Sequence, residues 1–219
     1  MTETRQKLIE GAITTLRDKG IAGTSARAIA AAAGVNQALV FYHFGSVDEL
    51  VDAACREGAA ERVALYREQF EQVQSLRELL ALGRRLNESE RAAGNVAVLA
   101  QVLAGAQQEP KLAAAASHAI GVWIEEIEST LGRLLAGGPL ADVVDAPGLA
   151  RGIAASFIGI ELYEGVDPAG ADQALVALET LGVLVEVVED LGPLARRALR
   201  ARLRRTARPP VPGREKGTT

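Results

Sequence analysis

The chain has 219 residues, of which 48% are hydrophobic, 24% are charged and 4% are aromatic. This much apolar material can bury a sizeable core, so an intrinsically disordered chain is excluded. One cysteine and two histidines exclude a disulfide scaffold and leave little material for a metal cluster. The formal net charge is −4, but residues 193–219 hold nine Arg or Lys against one Glu, so the body is acidic and the C-terminal end is basic.

The first residues show no continuous apolar segment of the kind that a secretory signal has. The most apolar stretch, Ala174 to Val188, is interrupted by Glu179 and Glu186. It therefore falls short of the roughly 20 unbroken apolar residues that a membrane span needs. We expect a soluble, cytoplasmic protein with no membrane contact.

Helical periodicity begins at the N-terminus, and no segment of the sequence alternates as a strand does. An apolar stripe at residues 8–16 predicts a first helix that ends near Gly20. Thr24 or Ser25 can cap a short second helix over residues 26–33.

The third helix is very short and the fourth is long. Asn36 can cap the third helix, which reaches Tyr42 or His43, and the capping-box sequence at residues 46–49 starts a fourth helix that ends near Gln72. Further helices are predicted near residues 75–92, 94–108, 110–136, 147–165, 171–190 and 193–206. The predicted fold class is all-α.

Residues 24–44 combine two short helices and a tight turn at Gly34, which is typical of a helix-turn-helix. Ile29, Val35 and Val40 are spaced to share a core. In such a motif the second helix lies in the major groove of double-stranded DNA. The residues predicted to face outward from it are Gln37, Ala38, Leu39, Tyr42 and His43.

The chemistry of these side chains suits base and phosphate contacts. Gln37 can bond adenine, and Ala38 or Leu39 can pack on a thymine methyl group. The hydroxyls and backbone amides at the start of the second helix suit a phosphate. The complete set of predicted DNA-binding residues is Thr24, Ser25, Arg27, Asn36, Gln37, Ala38, Leu39, Tyr42 and His43.

The same pattern is also compatible with a plain helical hairpin in a ligand-binding or adaptor protein. Residues 1–50 carry five basic and five acidic side chains, so charge does not favour DNA here. Salt-dependent binding to its own promoter region would separate the two interpretations.

Residues 5–55 resemble the DNA-binding domain of the tetracycline-repressor (TetR) family. The resemblance is carried by Thr24-Ser25, by Ile29-Ala30, by Ala33-Gly34-Val35, by the run Leu39 to Phe44 with its Tyr-His-Phe ending, and by Asp48-Glu49-Leu50. It implies a helix-turn-helix domain over residues 1–62 and a ligand-binding and dimerisation domain over 63–206. The proline-rich run from Pro209 to Gly213 predicts a disordered basic tail over 207–219. The family usually has a lysine in place of Val47, where it reaches a phosphate.

Two stripes near the C-terminal end predict a homodimer interface, because small residues on one face let helices approach closely. The alternative is that both stripes are intramolecular core. The predicted interface residues are Gly152, Ala155, Gly159, Leu175, Leu178, Gly182 and Val185.

The resemblance also implies a cavity for a small-molecule effector, which would be apolar or modestly polar in these Leu- and Val-rich helices. The candidate ligand-binding residues are the aromatic ones, each of which could instead be plain core: Tyr66, Phe70, Trp123 and Phe157. No catalytic or metal-binding pattern occurs in the sequence, so neither an enzyme nor a cofactor is predicted.

The arginine-rich end of the chain has two interpretations. Arg196, Arg197, Arg200 and Arg204 recur at helical spacing. They form either a solvated last helix that balances the acidic body or a second contact with nucleic acid.

Overall fold

Ten α-helices and one short 3-10 turn make up the part of the chain that the computed structural model describes, residues 3–138, 140–141, 144–189 and 191–206. The helices are α1 (Glu3–Lys19), α2 (Ala26–Ala33), α3 (Ala38–Phe44), α4 (Val47–Gln72), α5 (Leu76–Ala92), α6 (Asn95–Ala106), α7 (Pro110–Leu135), α8 (Ala146–Glu164), α9 (Pro168–Glu189) and α10 (Pro193–Thr206). These residues contain no strand, so the predicted all-α class is confirmed. The predicted tail, residues 207–219, lies outside the described residues.

Short polar side chains start several helices, as their sequence positions predict. The Ser25 hydroxyl accepts a hydrogen bond from the Ala28 amide at 3.2 Å, and Ser46 accepts one from the Glu49 amide at 3.1 Å. These bonds satisfy amides that have no partner within the first turn of a helix. The starts of α2 and α4 are thus fixed locally.

The first four helices share one core. Its fully buried centre is formed by Leu8 and Ile9 of α1, Ile29 of α2, Val40 of α3 and Leu50 of α4. The three residues predicted to share this core are confirmed, with Ile29 and Val40 buried and Val35 packed at the edge.

Close packing of α1 on α2 depends on a glycine in α1. A Cβ at Gly11 would lie 2.8 Å from the Cβ of Ala33 and 2.9 Å from the Ile29 carbonyl oxygen. Ala33 therefore packs on α1.

A second core lies further along α4. It joins α4, α5, α7 and α8 through Tyr66, Phe70, Leu82, Leu131 and Ala154. Because α4 runs without interruption from the first core to the second, the two predicted domains are connected by a continuous helix rather than by a linker.

Helix α9 packs on α5 and α8 with one face, and this corrects one prediction. Leu175 and Gly182 are buried, and a Cβ at Gly182 would lie 2.9 Å from the Cα of Arg77. The predicted interface stripe of Leu175, Leu178, Gly182 and Val185 is therefore the inward face of α9.

The opposite face of α9 is also apolar, so periodicity alone does not distinguish the inward face from the exposed one. Its exposed aliphatic residues are Val176, Leu181, Val183, Leu184 and Val187. On α8 the predicted stripe of Gly152, Ala155 and Gly159 is exposed in the single chain.

Helix α10 forms where it was predicted. The side chains of Arg196, Arg200 and Arg204 lie outside the described part of the structure. Within the described residues, none of the helices combines the length and the apolar character needed to cross a membrane.

Candidate functional site

The turn between α2 and α3 is built on Gly34. Gly34 has φ 65° and ψ 33°, in the left-handed region that L side chains rarely adopt. The Val35 amide donates to the Ala30 carbonyl at 3.0 Å, and the Asn36 side-chain oxygen accepts from the Ala38 amide at 2.8 Å. These bonds fix the direction in which α3 leaves the turn.

The outer face of α3 is open to solvent. Tyr42 is 80% exposed and Phe41 is 50% exposed, and Gln37 and Ala38 are also exposed. The exposed surface of α3 and its N-cap therefore combines one polar side chain, one methyl group and two aromatic rings.

Leu39 departs from its predicted outward position. Leu39 is partly buried, because its side chain packs against the edge of the core of α1–α4 next to the fully buried Val40. His43 is also partly buried, and its ring meets the Tyr42 ring edge-on, with centroids 4.9 Å apart. Phe41, which is not among the predicted DNA-binding residues, is exposed on this face.

The start of α2 adds polar groups beside this face. The Thr24 hydroxyl donates to the Gly20 carbonyl at 2.8 Å, while Ser25 uses its oxygen as the helix cap. The Ser25 O–H therefore remains a donor, and Arg27 is exposed next to it. Val47 is partly buried against the core of α1–α4 and against a further cluster formed with α6 and α7.

A cavity of about 490 Å³ lies inside the C-terminal helices. Six helices contribute to its wall, including α1 and α4. The residues that line it are Ile13, Leu16, Arg17, Ala54, Cys55, Gly58, Ala59, Glu61, Arg62, Phe70, Leu79, Gly83, Leu86, Asn87, Glu90, Ala93, Asn95, Val96, Val98, Leu99, Val102, Ala116, Ala119, Ile120, Trp123, Ile127, Ile153, Ala154, Phe157, Ile158 and Glu161. A mostly apolar wall with a few polar groups is typical of a small-molecule site.

The four aromatic candidates divide into three wall residues and one supporting residue. Phe70, Trp123 and Phe157 line the cavity. The Phe157 ring occupies the space that a side chain at Gly83 would fill. Tyr66 is buried behind the wall, with its ring centroid 6.1 Å from that of Trp123.

Glu90 is the centre of a buried polar network. Arg62 donates to it at 2.9 Å through Nε, the Tyr66 hydroxyl donates at 2.7 Å, and the Asn95 amide donates at 2.7 Å. Burial alone would raise the pKa of Glu90, but these hydrogen bonds outweigh burial and lower that pKa below its usual value. Glu90 is therefore a fully paired carboxylate.

Two other polar groups of the wall are less well satisfied. The buried Asn87 side-chain oxygen has no hydrogen-bond partner among the described residues, and its amide nitrogen donates to Glu164 at 3.3 Å. Glu161 makes neither a hydrogen bond nor an ion pair with any residue in the described ranges. Burial, together with the negative charge of Glu90 and against the positive charge of Arg91, raises the pKa of Glu161 to about 7.

Cys55 also lines the cavity, from α4. Burial and the nearby charge of Asp52 raise the pKa of its thiol to about 11. The thiol is therefore protonated near neutral pH and is a poor nucleophile.

Most of the cavity wall was missed by reasoning from the sequence, which considered only aromatic residues. A usable signal was present: Asn87 and Glu90 continue the buried face of α5 formed by Leu79, Leu82 and Leu86. Polar side chains on the apolar face of a helix are uncommon unless they have partners or contact a ligand.

Comparison with known proteins identifies the N-terminal part. Residues 8–54 match the tetR family of bacterial regulatory proteins. None of the curated proteins is significantly similar to the chain in sequence.

Similar solved structures extend the likeness to both parts of the chain. The multidrug binding protein EbrR, solved with imidazole, is 28% identical, with a TM-score of 0.59 over 83% of this chain and 96% of its own. A TetR-family regulator from Cytophaga hutchinsonii is 17% identical, with a TM-score of 0.69 over 88% of this chain and 99% of its own. A protein from Saccharomonospora viridis, described as a transcriptional regulator and solved in complex with choline, is 21% identical, with a TM-score of 0.63 over 82% of this chain and 95% of its own.

The family match covers the segment that the sequence motifs indicated, and the all-α fold is that of the solved regulators. Proteins of this family regulate transcription and are not enzymes. Residues 8–54 therefore form a DNA-binding domain of the tetR type, and the chain is a DNA-binding transcriptional regulator.

Proposed function

We propose that this regulator is a ligand-responsive repressor that binds a palindromic operator as a homodimer in the cytoplasm. The observation that carries the proposal is that one cavity is lined both by the reading domain and by the C-terminal helices. Ile13, Leu16 and Arg17 of α1 reach the cavity, as do six residues of α4 between Ala54 and Arg62. A molecule in the cavity therefore touches the helices that hold α3.

The coupling follows from the continuity of α4. Its first turn supports α3, and its later turns pack on α7 along the cavity. A ligand that prefers a displaced α4 also prefers a displaced α3. It must weaken DNA binding by the ratio of its affinities for the two arrangements.

Small molecules in two of the similar structures, imidazole in EbrR and choline in the protein from Saccharomonospora viridis, support an effector role for the cavity. The exposed stripe of Gly152, Ala155 and Gly159 on α8, together with the outer face of α9, supports pairing of two copies. Binding of both half-sites requires the dimer to hold its two copies of α3 about 34–36 Å apart, one turn of duplex DNA.

The test is the selection of bound duplexes from a random DNA pool by the full chain. We expect two inverted half-sites whose centres are about 10 base pairs apart. Gln37→Ala and Tyr42→Ala should each weaken binding to the selected site by roughly 1–3 kcal/mol, which is about 10- to 100-fold.

The matched control is Gln69→Ala, which removes an exposed glutamine from α4 far from the reading face. It should leave DNA affinity unchanged. If the reading-helix variants bind the selected DNA as tightly as the unmodified protein, α3 is not the reader and the proposal fails.

A further inference from the structure

We propose that the cavity binds an amphipathic protonated amine, whose N–H groups bond the Glu161 carboxylate and the Asn87 side-chain oxygen while its aliphatic part fills the apolar remainder. This inference rests on the proposed effector role of the cavity and names the chemical class of the effector. It adds a charge to the apolar or modestly polar ligand expected from the sequence.

The first argument is charge balance in the wall. The charged residues that line the cavity are Arg17, Glu61, Arg62, Glu90 and Glu161. Arg62 is paired with Glu90, and Arg17 Nε lies 3.4 Å from Asp18 Oδ1. Neither Glu61 nor Glu161 has an ion-pair partner among the described residues, but Glu61 is exposed to solvent whereas Glu161 is partly buried. An acidic group left alone in an apolar wall attracts a cation, because burial weakens its interaction with water.

The second argument is hydrogen bonding at Asn87. The Asn87 amide nitrogen donates to Glu164, and the Arg91 side chain also contacts Glu164. The end of the Asn87 amide that has no partner is therefore its oxygen, which can accept a hydrogen bond. That oxygen has less than 1 Å² of exposed surface and no partner among the described residues, and Asn87 lines the cavity. The proposal requires the Asn87 side chain to rotate so that a ligand donor can bond this oxygen. A buried acceptor left without a donor is costly, and an N–H from a ligand removes that cost.

The third argument is the composition of the remaining wall. The residues contributed by α6 and α7 carry no charge: α6 offers Asn95 and four aliphatic residues, and α7 offers Trp123 beside alanines and isoleucines. These surfaces suit an alkyl chain. A ligand with a single cationic end is therefore favoured over one with charges at both ends.

The experiment measures binding of defined probes to the full chain without DNA, by calorimetry at pH 8. The probes are octylamine, octanol, octanoate and octyltrimethylammonium. Octylamine should bind at least tenfold more tightly than the three others, since only it offers both a positive charge and N–H donors. Equal or tighter binding of octanol or octanoate overturns the proposal, and equal binding of octyltrimethylammonium overturns its hydrogen-bond part.

Variants then assign the contacts. Glu161→Gln should weaken octylamine binding about tenfold or more and bring it to the level of octanol, and Asn87→Leu should weaken octylamine more than octanol. The matched control is Glu179→Gln, which removes a partly buried carboxylate of α9 and leaves its partner Arg84 paired with Asp172. An equal loss in the control and in Glu161→Gln contradicts the assignment.

The pH dependence provides a readout that a merely structural role would not change. Glu161 on α8 interacts with Glu90 and Arg91 of α5, and shares the cavity with Arg62, Glu61 and Cys55 of α4 and Arg17 of α1. Because its pKa is raised to about 7, octylamine affinity should increase about tenfold between pH 6 and pH 8. Glu161→Gln should abolish that increase, and its persistence in the variant rules out Glu161 as the source.

The outcomes separate this inference from the proposed function. Octylamine that binds at Glu161 but does not release the selected DNA leaves the amine site intact and contradicts the repressor mechanism. DNA binding with no preference for octylamine contradicts the amine site alone.

Discussion

The Glu161 carboxyl has a consequence for folding as well as for binding. Its ordinary pKa of 4.5 is raised to about 7 in the folded chain, so the folded state holds the proton more tightly than the unfolded state. The stabilising effect of the protonated group is complete below pH 4.5 and is lost as the pH rises through 7. Above that range the ionised side chain opposes folding.

Glu161→Gln should therefore stabilise the ligand-free protein at alkaline pH. We expect its free energy of unfolding to exceed that of the unmodified protein by about 1–3 kcal/mol at pH 8, because each unit of pKa shift corresponds to about 1.4 kcal/mol. Urea denaturation at pH 8 and at pH 4.5 measures the difference, which should disappear at the lower pH. A gain of equal size at both pH values would show that ionisation of Glu161 is not its cause.

The same comparison has an internal control in Glu179→Gln. The Glu179 carboxylate accepts a hydrogen bond from Arg84 at 2.9 Å, so it is satisfied in the folded chain. Its replacement should give no gain in stability at pH 8. Glu161 lines the cavity and destabilises the ligand-free fold when it is ionised. This combination is expected of a residue that binds a ligand rather than of one that stabilises the fold.

At the scale of the element, the turn between α2 and α3 depends on the backbone of Gly34 rather than on its surroundings. An added Cβ at Gly34 would meet nothing within 4 Å, so space is not the constraint there. The constraint is φ 65°, which costs an L residue about 1 kcal/mol.

Gly34→Ala should lower the free energy of unfolding by about 1 kcal/mol through this strain. Gly121→Ala is the matched control, because Gly121 lies within α7 with helical backbone and also has nothing within 4 Å of an added Cβ. There the substitution should stabilise by about 0.5–1 kcal/mol. Thermal or urea unfolding of both variants tests the pair, and a stabilising Gly34→Ala would contradict the account of the turn.

The elements that the sequence predicted well are those whose ends depend on local chemistry. Ser25 and Ser46 cap α2 and α4, Asn36 accepts a hydrogen bond from the first amide of α3, and Gly34 ends α2 by its own left-handed conformation. Such signals require no knowledge of the rest of the chain, so they can be recognised in the sequence.

The features that could not be predicted depend on which face of a helix meets which neighbour. Both faces of α9 are apolar, and only the packing of Gly182 on Arg77 shows which one is internal. Leu39 packs against the core of α1–α4, which its position on a seven-residue helix does not reveal. The cavity wall is drawn from six helices, so Asn87 and Glu161 come together only through the tertiary fold.

At the scale of the whole molecule, the exposed apolar surface of α8 and α9 has no intramolecular cover in the described residues. Leu162 of α8 is 43% exposed, and Val187 of α9 is 59% exposed. Large exposed apolar surfaces are typical of interfaces with another chain, which supports the proposed homodimer. The stripe of small residues on α8 lies on that surface, which permits two helices to approach closely across a two-fold axis.

Gly159→Trp should therefore convert a dimer into a monomer that retains the helical content of the unmodified chain. Gly159 is exposed on α8, and an added Cβ there would meet nothing within 4 Å of the same chain, so a tryptophan disturbs only a partner. Gly132→Trp is the matched control, because Gly132 of α7 is equally exposed and open, and it should leave the dimer intact. Sedimentation velocity distinguishes the two species, and circular dichroism verifies the fold.

The monomer should also bind a single half-site far more weakly than the dimer binds the palindrome, because the second reading helix no longer acts at high effective concentration. Sedimentation of Gly159→Trp as a folded dimer would place the interface elsewhere.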